Sequence, residues 1–84
     1  VARITLYTRK DCLLCDEAAH LLRRLAPELG FEVEEVDIET DSALLQRYKE
    51  SIPVIALGGE PLLSAPLDES RVRTALSSRL RGRP

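Results

Sequence analysis

A chain of 84 residues supports one domain, residues 1–84, with a single modest core. No apolar run reaches the length of a membrane span, and a net charge of −2 gives no generic attraction to nucleic acid. The only two cysteines lie three positions apart, unlike the wider spread of a disulfide-stapled secreted scaffold. That cysteine usage makes a reducing cytoplasm the expected compartment, and no signal-peptide pattern is visible before the strand-like sequence at Val1.

Arg3 to Thr8 alternates in polarity and is rich in β-branched and aromatic residues, which predicts a first strand. After the polar loop Arg9-Lys10-Asp11, Leu14, Ala18, Leu21, Leu22, Leu25 and Leu29 recur at helical spacing. Asp11 is the expected cap of this helix, and Asp16 and Glu17 suit its positive end. Pro27 is expected to end or kink the helix near Ala26, with Gly30 closing it. Glu32 to Ile38 reads as a second strand, and its many acids suit a sheet edge.

A short helix is expected from Asp41 or Ser42 through Tyr48. Val54-Ile55-Ala56-Leu57 reads as a buried central strand. Gly58-Gly59 signals a hairpin into a fourth strand, Pro61-Leu62-Leu63-Ser64. Asp68 caps a last helix with Val72, Leu76 and Leu80 on one face, and Arg81 to Pro84 should fray. The order is β-α-β-α-β-β-α. The helical crossover makes the first two strands parallel, and the final hairpin makes the sheet mixed.

Charge is uneven along the chain. Seven acids and no base lie between Glu28 and Asp41, whereas five arginines and no acid follow from Arg71 onward. Two readings are open: two solvated faces, or a polarity that docks a protein partner.

Cys12-Leu13-Leu14-Cys15 falls where the first strand hands over to the first helix. Unpaired N–H groups and partial positive charge at a helix start favour thiolate over thiol, so Cys12 is expected to be the more acidic thiol. Arg9 and Lys10 add to this, and Asp11 and Asp16 oppose it. Cys15 lies one turn inside the helix, near Leu14 and Ala18, and should be less exposed. Attack by Cys12 and resolution by Cys15 follow from that division.

Other roles fit the pair less well. A disulfide across two residues closes too small a loop to stabilise much. Zinc needs four ligands, and the remaining good candidate, His20, lies roughly 140° round the helix from Cys15 at 100° per residue. A zinc site would therefore need a dimer. Covalent haem attachment needs histidine after the second cysteine, where Asp16 stands. No metal and no cofactor is expected.

Ser51-Ile52-Pro53-Val54 sets a proline at the mouth of the central strand, where proline is tolerated. X–Pro bonds are cis in about one case in twenty, so proline statistics alone favour trans.

Leu6-Tyr7-Thr8, the Cys12-x-x-Cys15 spacing after it and Ile52-Pro53-Val54, in this order, resemble the glutaredoxin-like branch of the thioredoxin superfamily over nearly the whole chain. The likeness is nearest to small bacterial glutaredoxin-like proteins. It implies an α/β chain with the minimal thioredoxin fold: a four-stranded mixed sheet with helices on both faces. It implies that Cys12 is the nucleophile and Cys15 the resolving thiol. Pro53 would be cis and face the cysteines, Ile52 would offer backbone hydrogen bonds to an extended thiol substrate, and Arg9 stands like the family's basic glutathione contact. Two departures stand out. Leu13-Leu14 replaces the Pro-Tyr of typical glutaredoxins, and Leu63-Ser64-Ala65-Pro66, with Asp68 beyond, stands where they carry a second Gly-Gly and an acid.

The function this implies is thiol–disulfide exchange with a disulfide-containing protein or small molecule, supplied by an unidentified thiol reductant. Neither nucleic acid nor membrane is an expected partner. A redox-sensitive binding or carrier module and a zinc-bridged interaction domain are the alternatives.

Overall fold

The structure is a computed structural model and describes residues 2–81. Its elements are β1 (Ala2–Thr8), α1 (Leu13–Leu29), β2 (Phe31–Asp37), α2 (Ser42–Tyr48), β3 (Val54–Leu57), β4 (Glu60–Ser64) and α3 (Glu69–Arg81). A 3-10 turn, Ile38–Thr40, joins β2 to α2. The strands lie in the order β2-β1-β3-β4, so the acidic strand is at one edge and β1 and β3 fill the middle. β1 runs parallel to β2 and antiparallel to β3, and β3 pairs antiparallel with β4.

Alternation along the central strands divides the core in two. Ile4, Leu6 and Ile55 face Ala18, Ala19, Leu22 and Leu25 of α1 and Val72 and Leu76 of α3. On the other side Val54 packs with Ile38 and Tyr48, flanked by Tyr7, Leu44, Leu45 and Ile52. The rings of Tyr7 and Tyr48 stack there with centroids 4.6 Å apart. Thus α1 and α3 cover one face of the sheet and α2 covers the other.

The local signals act as their chemistry requires. Asp41 caps α2 by accepting from the N–H of Ala43 at 2.8 Å, and Asp68 caps α3 through Arg71 N–H at 2.9 Å. Gly58 and Gly59 both take positive φ, which the tight turn between β3 and β4 needs. Pro61 sits on the edge strand, beside a register shift at Ile55/Ala56.

Two expectations about element bounds differ from the structure. α1 continues through Pro27 to Leu29, and Gly30 then closes it with its N–H on the Ala26 carbonyl. Pro27 is exposed and removes one donor near the helix end, where water can satisfy the Arg23 carbonyl instead. β2 spans 31–37 rather than 32–38, because Asp37 caps the 3-10 turn through Glu39 N–H and turns Ile38 into the core. The charge asymmetry along the chain is partly answered in space. Acids of β2 and the turn after it pair with Arg3, Arg9 and Arg23, while Arg73 and Arg79 of α3 pair with Glu28, Glu69 and Glu60. The expected fraying at Arg81–Pro84 concerns residues that, beyond Arg81, lie outside those described.

Candidate functional site

β1 ends at Thr8, and the next four residues carry the chain to the start of α1. Asp11 was the expected cap, but it occupies the left-handed region at φ 57°, and Cys12 is the N-cap instead. The left-handed residue reverses the chain early enough that residue 12, extended at φ −117°, lies next to the free N–H groups. Cys12 Sγ accepts from the N–H of Cys15 at 3.1 Å. A sulfur so placed gains from carrying negative charge, since the donor and the helix dipole both point at it.

Cys12 and Cys15 are joined as a disulfide, with Cα atoms 5.2 Å apart. Cys12 is partly exposed, whereas Cys15 is 0 % exposed, one turn inside α1. The two sulfurs therefore differ in access by construction: the cap residue stands at the surface, and the third helical residue turns inward with Ala18, Ala19 and Leu22.

Leu14 shares the helical spacing of the core residues but lies outside both buried clusters. It is 57 % exposed and Leu13 is 72 % exposed, and they are the exposed large hydrophobic residues of the described chain. Leu14 forms one wall of a groove of about 210 Å³, with Glu17, Ala18 and Leu21 on the same side. Pro53 is part of its lining, and Ala65, Pro66 and Leu67 complete it.

The expected substrate contacts have different surroundings. Pro53 is buried, its bond to Ile52 is cis, and it reaches the groove. Ile52 packs into the cluster on the α2 face. Of the backbone groups expected to serve a substrate, its N–H donates to the Tyr48 carbonyl at 3.1 Å, because the end of α2 closes on it. Its carbonyl accepts no hydrogen bond among the described residues. Arg9 is exposed, and its Nε donates to Glu39 at 2.8 Å, so its charge is shared with the 3-10 turn. His20 is exposed on α1, and no group of three potential metal ligands comes together among the described residues.

The far wall of the groove includes Ala65-Pro66, part of the stretch that departs from typical glutaredoxins, and its meeting with Pro53 was not anticipated from the sequence. Ala65-Pro66, where the Ala65–Pro66 bond is also cis, is held by Ala65 N–H on the Ser51 carbonyl at 3.3 Å and by an Arg71 hydrogen bond to the Pro66 carbonyl. Two prolines thirteen positions apart were the available signal, and only a fold that brings residues 53 and 66 together gives it meaning.

A four-stranded mixed sheet carrying a Cys-x-x-Cys disulfide at the start of its first helix defines a thioredoxin-fold protein of the thiol–disulfide redox type. Comparison with known proteins narrows the class. The model of the glutaredoxin-like domain family (DUF836) matches residues 3–77, and the chain belongs to that family. A structural-genomics target protein from X. campestris is 33 % identical, with a TM-score of 0.69, covering 96 % of this chain and 99 % of its own. An uncharacterized protein of Mycobacterium tuberculosis is 28 % identical over 98 % of this chain and 90 % of its own length. A thioredoxin mutant from Halobacterium salinarum, 19 % identical, shares the fold with a TM-score of 0.72 over 99 % of this chain and 78 % of that one. The minimal thioredoxin fold is thus the fold of this chain.

Proposed function

We propose that the protein is a thiol–disulfide oxidoreductase that reduces or exchanges disulfides through Cys12, with Cys15 as the resolving thiol. One observation carries the reading: Cys12 is the partly exposed N-cap of α1, with an N–H aimed at its sulfur, and its partner Cys15 is fully buried behind it.

In the reduced protein the Cys12 thiolate attacks one sulfur of a substrate disulfide. A bond forms between Cys12 and that sulfur, the substrate S–S bond breaks, and the first substrate sulfur leaves as thiolate and takes a proton. Cys15, once deprotonated, attacks Cys12 Sγ. The Cys12–Cys15 disulfide forms and the second substrate thiolate departs. The dithiol loses two electrons and two protons, and the substrate gains them. A thiol or dithiol reductant reverses the change to restart the cycle. Such cycling suits a reducing compartment such as the cytoplasm.

Pro53 supports this reading by presenting a surface without an N–H to the groove that Leu14, the neighbour of Cys15 in sequence, also lines. The carbonyl of Ile52 is the backbone group left for an extended substrate, so docking rests on one hydrogen bond there rather than two. Arg9 carries its charge as part of its pair with Glu39.

Trapping tests the assignment. Cys15→Ser, incubated with an aromatic disulfide, should hold a mixed disulfide on Cys12, and Cys12→Ser should hold little. Symmetric trapping would favour a redox-sensitive binding module, in which the pair is a latch rather than a reaction centre.

A further inference from the structure

Six of the fourteen acids enter ion pairs among the described residues, and the acids beside the cysteines are among those that do not. Seven ion pairs join acids and arginines, along the acidic edge, between α1 and α3 and at the end of the β3–β4 hairpin. Asp11, Asp16 and Glu17 enter none of them. All three are exposed, and they bracket Cys12 and Cys15 in sequence. The nearby cations are Lys10, also exposed, Arg9, which Glu39 occupies, and Arg71, which is tied to the Pro66 carbonyl across the groove. Glu17, on the α1 side, is the charged residue of the groove lining, and Asp16 precedes it on the first turn of α1.

The same side carries the exposed leucines. A dry cavity of about 150 Å³ takes a benzene-sized molecule, so a groove of about 210 Å³ lined by Leu14, Ala18, Leu21, Pro53 and Leu67 admits one leucine- or phenylalanine-sized side chain.

Taking the oxidoreductase reading as its basis, we infer that the substrate is a polypeptide disulfide whose cysteine is flanked by a large apolar residue and a basic residue. The apolar side chain enters the groove, the basic one meets Glu17 and Asp16, and Leu13 extends the contact. Glutathione is the opposite in kind. It brings two carboxylates toward three acids and has no apolar side chain for the groove. Ser64-Ala65-Pro66 also sets side chains, and a proline without an N–H, where bare backbone would have to approach a small peptide.

Four synthetic peptide disulfides test this, each a dimer joined through a single cysteine. The cysteine is flanked by Leu and Lys, Leu and Glu, Ser and Lys, or Ser and Glu. Rates of reduction by the reduced protein are divided by rates with dithiothreitol, which removes the intrinsic reactivity of each disulfide. The Leu/Lys peptide should react at least about tenfold faster than the Ser/Glu peptide and than glutathione disulfide, a factor equal to about 1.4 kcal/mol. Leu14→Ser should erase the preference for Leu over Ser, and Glu17→Gln the preference for Lys over Glu. Equal rates for all four, preferences that survive both substitutions, or faster reaction with glutathione disulfide would overturn the inference while leaving the oxidoreductase reading intact. Failure to reduce any disulfide, an aromatic one included, would overturn that reading itself.

Discussion

The α1–α3 face and the cysteine end of α1 are built from the same helix and follow opposite rules. Along the former, Leu22, Leu25, Val72 and Leu76 are fully buried. Above them Arg24, Glu28, Glu69 and Arg73 interlock: Glu69 pairs with Arg24 at 2.7 Å and Arg73 at 3.0 Å, and Arg73 also pairs with Glu28. Apolar groups are covered there and charges are answered. At the cysteine end two leucines stand in solvent, three acids have no ion-pair partner, and a left-handed Asp11 delivers a cysteine rather than a carboxylate to the cap. A single amphipathic helix thus holds the fold with its middle and offers chemistry with its first turn. Local departures from good helix design concentrate where the site is.

The largest expected effect falls on activity alone. Cys12→Ser should abolish disulfide reduction, while the reduced forms of variant and parent unfold within about 0.5 kcal/mol of each other, because serine can take over the N-cap of α1. A matching loss of stability would mean that the first turn also holds the fold. The converse holds for the middle of the sheet. Ile55→Ala should cost about 2–5 kcal/mol in denaturant unfolding, because the methyl groups removed leave a cavity between β3 and α1. It should leave alkylation of Cys12 in the still-folded variant unchanged.

A smaller effect is expected at a cap remote from the site. Asp41→Ala removes the acceptor for Ala43 N–H and should lower stability by about 1 kcal/mol. The smallest concerns the surface network. Hydrogen bonds from Arg24 and then Arg73 hold the Glu69 carboxyl at about 2, below its ordinary 4.5. A depressed carboxylate stabilises the fold above its unfolded value and loses that contribution as pH falls through its folded value. Parent and Glu69→Gln should therefore differ slightly in thermal midpoint at pH 6, and the gap should close as pH drops from about 4.5 toward 2, and with added salt. A gap that persists in acid would show that Glu69 acts by packing rather than charge.

Much of the architecture was legible because it rests on period and punctuation. The alternation of Ile4 and Leu6, the apolar run Val54-Ile55-Ala56, the Gly58-Gly59 turn and the capping Asp41 and Asp68 are local signals, and each acts locally. Cys12 and Cys15 were legible for the same reason, since their place between strand and helix is a matter of order along the chain. What the sequence could not supply is set by contacts distant in the chain. Leu14 has core spacing, yet no residue covers it. Ile52 N–H is claimed by Tyr48. Arg9 is claimed by Glu39, thirty positions away. The matching of β2 acids with arginines of β1 and α1 depends on sheet register, as in Arg3 opposite Glu32.

The central claim is that the first turn of α1 separates an accessible, anion-stabilised sulfur from a buried one. A brief iodoacetamide pulse on the reduced protein at neutral pH, read by mass spectrometry of the peptides, tests it most directly. The account predicts that label accumulates on Cys12 well before Cys15, because the thiolate is the reacting species and Cys15 is enclosed. Equal labelling of the two, or label first on Cys15, would contradict it.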